Sequence, residues 1–308
     1  MLEKIVAFFM AIVAFFCNLL GINQSKIDTE ETEYYDAVVD MAYGTGEREK
    51  MDIAYPKNAS GKVDVVLNLH GGAWVAGDKS TYNNETLYTA KLGYIGVQMN
   101  YSYISDTVHC DTLLDEITMA LKAVKADAAN RGITIEHYAI RGQSAGAHLA
   151  TLYAYSRGNE SGIEPAFVIN QCGPNALEYI SMLSTIFSAG TLGTTEYISS
   201  LFTNLCGVTV TTDNLETAEV KAALEQVSAT HFVSTAVPTI TCHGTLDTIV
   251  PYVNATILDG LLASNGVEHY LFTYPTSGHT LQGNSDLDEQ ACQMALDWCA
   301  KYLNKYSA

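Results

Sequence analysis

The chain has 308 residues, of which 48% are hydrophobic and only 16% charged, with 34 acidic against 16 basic residues for a formal charge of −18. This apolar content excludes a disordered chain, and the length allows one large or two ordinary domains with a substantial core. The acidic balance argues against nucleic acid, whose phosphates require clustered Lys and Arg.

Residues 5–25 carry no charge and include the almost wholly large and apolar IVAFFMAIVAFF. A helix of roughly 20 such residues at about 1.5 Å each just crosses a hydrocarbon core. Lys4 precedes the run, and Asp28, Glu30, Glu31 and Glu33 follow with only Lys26 opposing. That asymmetry predicts an N-terminus kept inside and the remainder sent out, through either an uncleaved membrane anchor or a removed signal peptide. Residues 26–33 then form an acidic linker, and 34–308 a single α/β domain. The expected localisation is outside the cytoplasmic membrane, secreted or attached to it through residues 5–25. Seven cysteines are scattered, with no C-x-x-C pair. The spacing supports neither a disulfide scaffold nor zinc or redox chemistry.

Beyond the linker, apolar runs at 50–54, 63–69, 94–99, 138–140, 166–170, 239–242 and 269–274 read as strands. Helical periods fall at 111–129, 145–155, 253–264 and 287–303. In the first of these helices Leu113, Leu114, Ile117, Met119, Ala120, Leu121 and Val124 recur near every three to four residues. The alternation predicts a mainly parallel sheet with helices on both faces. No helix separates the first two strands, so the sheet should begin antiparallel. Residues 175–235, rich in Thr, Ser and Leu, break the rhythm and are expected to form an inserted helical cap.

Gly142-Gln143-Ser144-Ala145-Gly146 follows a strand and opens a helix. Strand, tight turn and helix form the context of a nucleophile elbow, which lifts the Ser144 hydroxyl above the sheet. His70-Gly71-Gly72-Ala73-Trp74 ends another strand. Acyl transfer places negative charge on a carbonyl oxygen, and the amides of Gly72, Ala73 and Ala145 are the expected donors to it. His70 should brace this loop, while Trp74 and Gln143 are candidates for the substrate pocket. The serine needs a base. Of eight histidines, His279 lies in a loop after the last strand, at the same sheet edge as the elbow. His148, one turn beyond Ser144, should point along the helix surface, and His243 should be structural. Asp247, after the penultimate strand, would orient the imidazole. Asp286 and Asp288 should belong to the start of the last helix.

The chain order Ser144, Asp247, His279, together with HGGAW, GDKSTY, NYS, GQSAGAHLA and HGTLDTIVP, resembles the α/β-hydrolase superfamily over roughly residues 34–305. Within it the motifs resemble the carboxylesterase branch: bacterial feruloyl/acetyl esterases, kynurenine formamidases and hormone-sensitive-lipase-like esterases. Ala73 replaces a third glycine of the lipase-like pattern, Gln143 an acidic residue, and Ala147 a glycine. The resemblance implies an eight-stranded sheet, a serine triad and no cofactor. It implies ester hydrolysis through an acyl-enzyme, and the acidic surroundings favour small neutral substrates such as acetylated sugars or aryl esters. An arylformamidase would use the same triad, and a non-catalytic surface binding module is the alternative of another class.

Overall fold

The structure is a computed structural model that describes residue 27 and residues 33–307. The expected signal or anchor at 1–25, Cys17 within it, and nearly all of the linker lie outside the described residues. Among the described residues no helix is long and apolar enough to cross a membrane.

Eight strands form one sheet: β1 (Tyr35–Ala42), β2 (Lys50–Pro56), β3 (Val65–Leu69), β4 (Ile95–Met99), β5 (His137–Gln143), β6 (Glu164–Gln171), β7 (Thr239–Gly244) and β8 (His269–Tyr274). Their spatial order is β1-β2-β4-β3-β5-β6-β7-β8. Only β2 runs antiparallel to its neighbours β1 and β4. The antiparallel start is therefore present, but it involves an additional strand, β1, that the apolar pattern does not mark. Strands β3, β4 and β7 are buried along their whole length, as expected where helices cover both faces of a sheet. Residues 61–62, at the head of the predicted 63–69 strand, pair separately with 133–134.

The helices are α1 (Asn83–Lys91), α2 (Cys110–Asn130), α3 (Ala145–Ser156), α4 (Ile180–Ala189), α5 (Thr195–Cys206), α6 (Ala218–Gln226), α7 (Val253–Ser264) and α8 (Ser285–Tyr302). Helices α4, α5 and α6 occupy the connection from β6 to β7, within the 175–235 stretch. Their apolar faces, including Leu183, Ile186, Ile198 and Phe202, join the same core as Leu67, Val97 and Ile140 of the sheet. Burying each such side chain contributes about 1.5–3 kcal/mol, so the insertion is held by the main core. Asp286 and Asp288 do fall in the first turn of α8, where the helix dipole favours negative charge.

Parallel register brings the functional loops to one edge. Leu69 is level with Gly142, Gln143 with Gln171, Gln171 with Cys242, and Gly244 with Tyr274. The segments that follow β3, β5, β7 and β8 thus all emerge at the carboxyl ends of the strands, where ligands bind in sheets of this kind.

Candidate active site

Ser144 occupies the turn between β5 and α3 with φ 55° and ψ −123°, a left-handed conformation that a non-glycine residue adopts only under constraint. The constraint is close packing. A Cβ on Gly142 would lie 2.2 Å from the Gly146 carbonyl carbon, and one on Gly146 would lie 2.1 Å from Leu69 O. The Ser144 amide donates to Gln171 O at 2.8 Å, anchoring the elbow to β6.

The loop after β3 curls against this elbow. Gly72, Ala73 and Trp74 have successive positive φ values of 124°, 50° and 62°. Gly72 O accepts from Val75 N at 3.0 Å and Ala76 N at 2.9 Å, whereas the amides of Gly72 and Ala73 donate to no backbone carbonyl among the described residues. The approach is close enough that a Cβ on Gly71 would sit 3.4 Å from Ser144 Cβ. Ala145, the first residue of α3, adds another amide with no intrahelical acceptor.

Asp247 and His279 meet as expected: Nδ1–H of His279 donates to Asp247 Oδ2 at 2.7 Å. Asp247 Oδ1 accepts from the amides of Ile249 and Val250, each at 2.9 Å. His243 Nε2 lies 3.2 Å from Asp247 Oδ2 and donates to Val250 O at 2.8 Å, the structural place expected of it. Burial opposes charge on Asp247, but hydrogen bonds from His243 and His279 prevail and hold the carboxyl well below the usual carboxylate range. The aspartate therefore accepts from His279 as an anion, with His243 Nε2 close beside it. Nε2 of His279 has no hydrogen-bond partner among the described residues, and the Ser144 hydroxyl makes no hydrogen bond with it in this arrangement. Gln143 and Thr280, the neighbours of Ser144 and His279, nevertheless line one groove. Cys172 stands beside the Asp247–His279 pair, with ligating atoms of all three within 4.8 Å of one another. Burial and then Asp247 raise its thiol pKa well above the ordinary value, so it packs as a neutral group.

Two spaces open from Ser144 and its neighbours. One is a cavity of about 20 Å³ lined by Ala73, Trp74, Ala145, Ile186, Leu192 and Phe202 with Ser144. The other is a groove of about 490 Å³ lined by polar groups, among them Tyr82, Arg141, Gln143, Gln171, Thr280 and Gln282. Trp74 and Gln143 thus face different spaces. Trp74 is also buried, as its indole N–H donates to His148 Nδ1 at 3.1 Å.

That bond corrects the expectation for His148. The imidazole is fully buried rather than on the helix surface, with Nε2 donating to Val227 O at 2.6 Å. The reason is that residues 145–155 of α3 are all buried, so this helix has no solvent face. Burial lowers the pKa of His148 to about 4. His70 braces its loop as expected. Its ring stacks on Tyr101 with centroids 4.2 Å apart, and burial lowers its pKa to about 4. Sequence reasoning passed over Arg48, which reaches His70 from the β1–β2 turn. Within the sequence EREK it reads as one charge of a solvated run, and no local signal marks its destination.

The sheet order, the strained strand–turn–helix and the Asp–His pair at one rim define an α/β-hydrolase fold. More narrowly, the chain belongs to the BD-FAE family, whose model matches residues 51–262. Among curated proteins it is 32% identical to the probable carboxylic ester hydrolase LipM of Mycobacterium tuberculosis over 132 residues, covering 42% of this chain and 30% of LipM. It is 28% identical to kynurenine formamidase of Danio rerio over 115 residues, 37% of this chain and 38% of that protein. The chain thus spans about a third of the length of these relatives. Among solved structures, esterase B from Lactobacillus rhamnosis superposes with a TM-score of 0.69 at 20% identity, covering 97% of this chain and 95% of that one. A bacterial heroin esterase gives 0.69 at 19% identity, with coverage of 92% and 89%.

Proposed function

We propose that the protein is a serine carboxylic-ester hydrolase that removes short acyl groups from neutral alcohols, with acetylated sugars and aryl esters as the substrate class. The observation that carries this reading is the Asp247–His279 hydrogen bond at the same rim as a strained serine and a loop with free amides. His279 Nε2 takes the Ser144 proton as Oγ attacks the ester carbonyl. The amides of Gly72, Ala73 and Ala145 stabilise the resulting oxyanion. Collapse expels the alcohol, which receives the proton from His279, and leaves an acyl-enzyme. Water, deprotonated by the same imidazole, then releases the carboxylic acid and restores Ser144.

The two spaces support the choice of substrate. A cavity needs roughly 10–15 Å³ to hold a water, so about 20 Å³ beside Ser144 suits the methyl of an acetyl group. The leaving alcohol departs on the His279 side, where residues 280–283 wall the groove. Its amide, hydroxyl and guanidinium groups suit a polyhydroxylated alcohol or an aromatic one carrying hydroxyls.

The likeness to kynurenine formamidase favours a second reading, hydrolysis of an arylformamide by the same groups. Measuring kcat/KM for p-nitrophenyl acetate, an acetylated oligosaccharide and N-formylkynurenine separates them. Turnover of the formamide alone would refute the esterase reading. A folded chain that turns over none of these and takes no fluorophosphonate label would favour a binding module. Export through residues 5–25 is part of the proposal, and the mass of the mature N-terminus tests it.

A further inference from the structure

Arg48 lies in the turn between β1 and β2, and its guanidinium is directed at the loop that follows β3. Nε donates to Tyr101 O at 2.8 Å, and Nη2 donates to Gly77 O at 3.1 Å. Nη2 also lies 3.3 Å from His70 Nε2. The guanidinium carbon stands 3.8 Å above the Tyr103 ring centroid. A guanidinium only donates and stays protonated, so His70 Nε2 must be the acceptor. The His70 proton then resides on Nδ1, which donates to Gly71 O at 2.8 Å.

These contacts meet at both ends of one loop. His70 opens it and Gly77 closes it, and the ends touch: a Cβ on Gly77 would lie 2.2 Å from Gly71 O. Tyr101 Oη donates to His70 O at 2.6 Å, and Tyr103 Oη donates to Gly77 O at 2.7 Å. Arg48 therefore joins both ends and the two tyrosines that support them. Between those ends lie Gly72 and Ala73, both in left-handed conformations.

We infer that Arg48 is a positioning residue for the reaction proposed above, clamping His70 and Gly77 so that the amides of Gly72 and Ala73 are preorganised for the oxyanion. It touches no reacting atom. This rests on the serine-hydrolase reading, and only its effect on the transition state distinguishes it from a merely structural contact. Complete loss of one oxyanion donor typically costs about 10²- to 10³-fold in rate, so a displaced donor should cost about 10- to 100-fold.

The test compares wild type, Arg48→Met and Arg48→Lys on p-nitrophenyl acetate, together with inhibition by an aryl trifluoromethyl ketone. The ketone forms a tetrahedral adduct on the serine, so its affinity follows transition-state stabilisation. Arg48→Met should lower kcat about 10- to 100-fold with KM changed less than about twofold, and weaken the ketone by a similar factor. Arg48→Lys, which keeps the charge but loses the forked donors, should show the same pattern to a smaller degree and serves alone if the methionine variant does not fold. Unchanged kcat, or a loss of kcat without matching loss of ketone affinity, overturns the inference. Failure of the underlying reading looks different: Ser144→Ala would then retain activity whatever Arg48 does.

Discussion

Truncating Leu192 to alanine should change which acyl chain the protein prefers. Leu192 lies in the turn between α4 and α5 and walls the cavity beside Ser144 together with Ile186 and Phe202. At about 20 Å³ that cavity is narrow, and it holds an acetyl methyl more readily than the longer chain of a butyryl group. Leu192→Ala removes three carbons from its wall, room comparable to those two methylenes. Each buried methylene contributes about 0.8 kcal/mol, so butyrate should gain about 1.6 kcal/mol over acetate, a roughly 15-fold shift in the ratio of kcat/KM values. Leu192 also packs in the main core, and its truncation should cost about 2 kcal/mol of stability, which a thermal melt records. The assay is initial rates on p-nitrophenyl acetate, butyrate and hexanoate. A folded variant with an unchanged chain-length profile would show that the acyl group lies elsewhere.

Other consequences follow from named groups. Asp247→Asn retains an acceptor for Ile249 N and Val250 N but no longer stabilises an imidazolium, so kcat should fall by about 10³- to 10⁴-fold while the fold survives, as steady-state kinetics and circular dichroism would record. Asp64, fully buried at the opposite end of the sheet, accepts from the amides of Glu136, His137 and Asn304. Asp64→Ala leaves those donors without partners, at about 1–3 kcal/mol each, so urea unfolding should reveal about 3–9 kcal/mol of lost stability with turnover per folded molecule unchanged. The histidines His70 and His148 have folded pKa values lowered to about 4 by burial. The unfolded chain therefore binds more protons than the folded one between about pH 6.5 and 4. Stability from these two groups is complete above that window, falls as pH drops through it, and is flat below. Asp247, held below its ordinary range, adds a further loss below about pH 4. Urea midpoints measured from about pH 7.5 to about pH 2.5 would check both trends.

The legible parts of the molecule are those whose local pattern carries the information. Strands β3 and β4 are short, fully buried runs, apolar but for Asn68 and Gln98, because both faces are covered, and α2 repeats its apolar residues at helical spacing. Ser144 and the His70 loop stand out because tight turns demand glycines at fixed offsets. Strand β1 escaped notice because, at the edge of the sheet, it carries Asp36 and Asp40 among half-exposed residues and shows no alternation. Helix α1 escaped because its inward face is polar. Asn83 and Thr86 meet Gln98, which in turn donates to Asp52, the partner of buried Lys79. Such a network leaves no apolar stripe to read. His148 and Arg48 belong to a third kind, side chains whose partners lie 22 to 79 residues away in sequence. No short-range pattern records contacts that only the assembled sheet creates.

The most direct measurement is intact-protein and peptide mass spectrometry after reaction with a fluorophosphonate, run beside turnover of p-nitrophenyl acetate. The account predicts a single stoichiometric adduct on the peptide bearing Ser144, loss of turnover in parallel with labelling, and neither adduct nor turnover in Ser144→Ala. An alanine variant that still cleaves the ester, or an adduct formed on another residue, would contradict it.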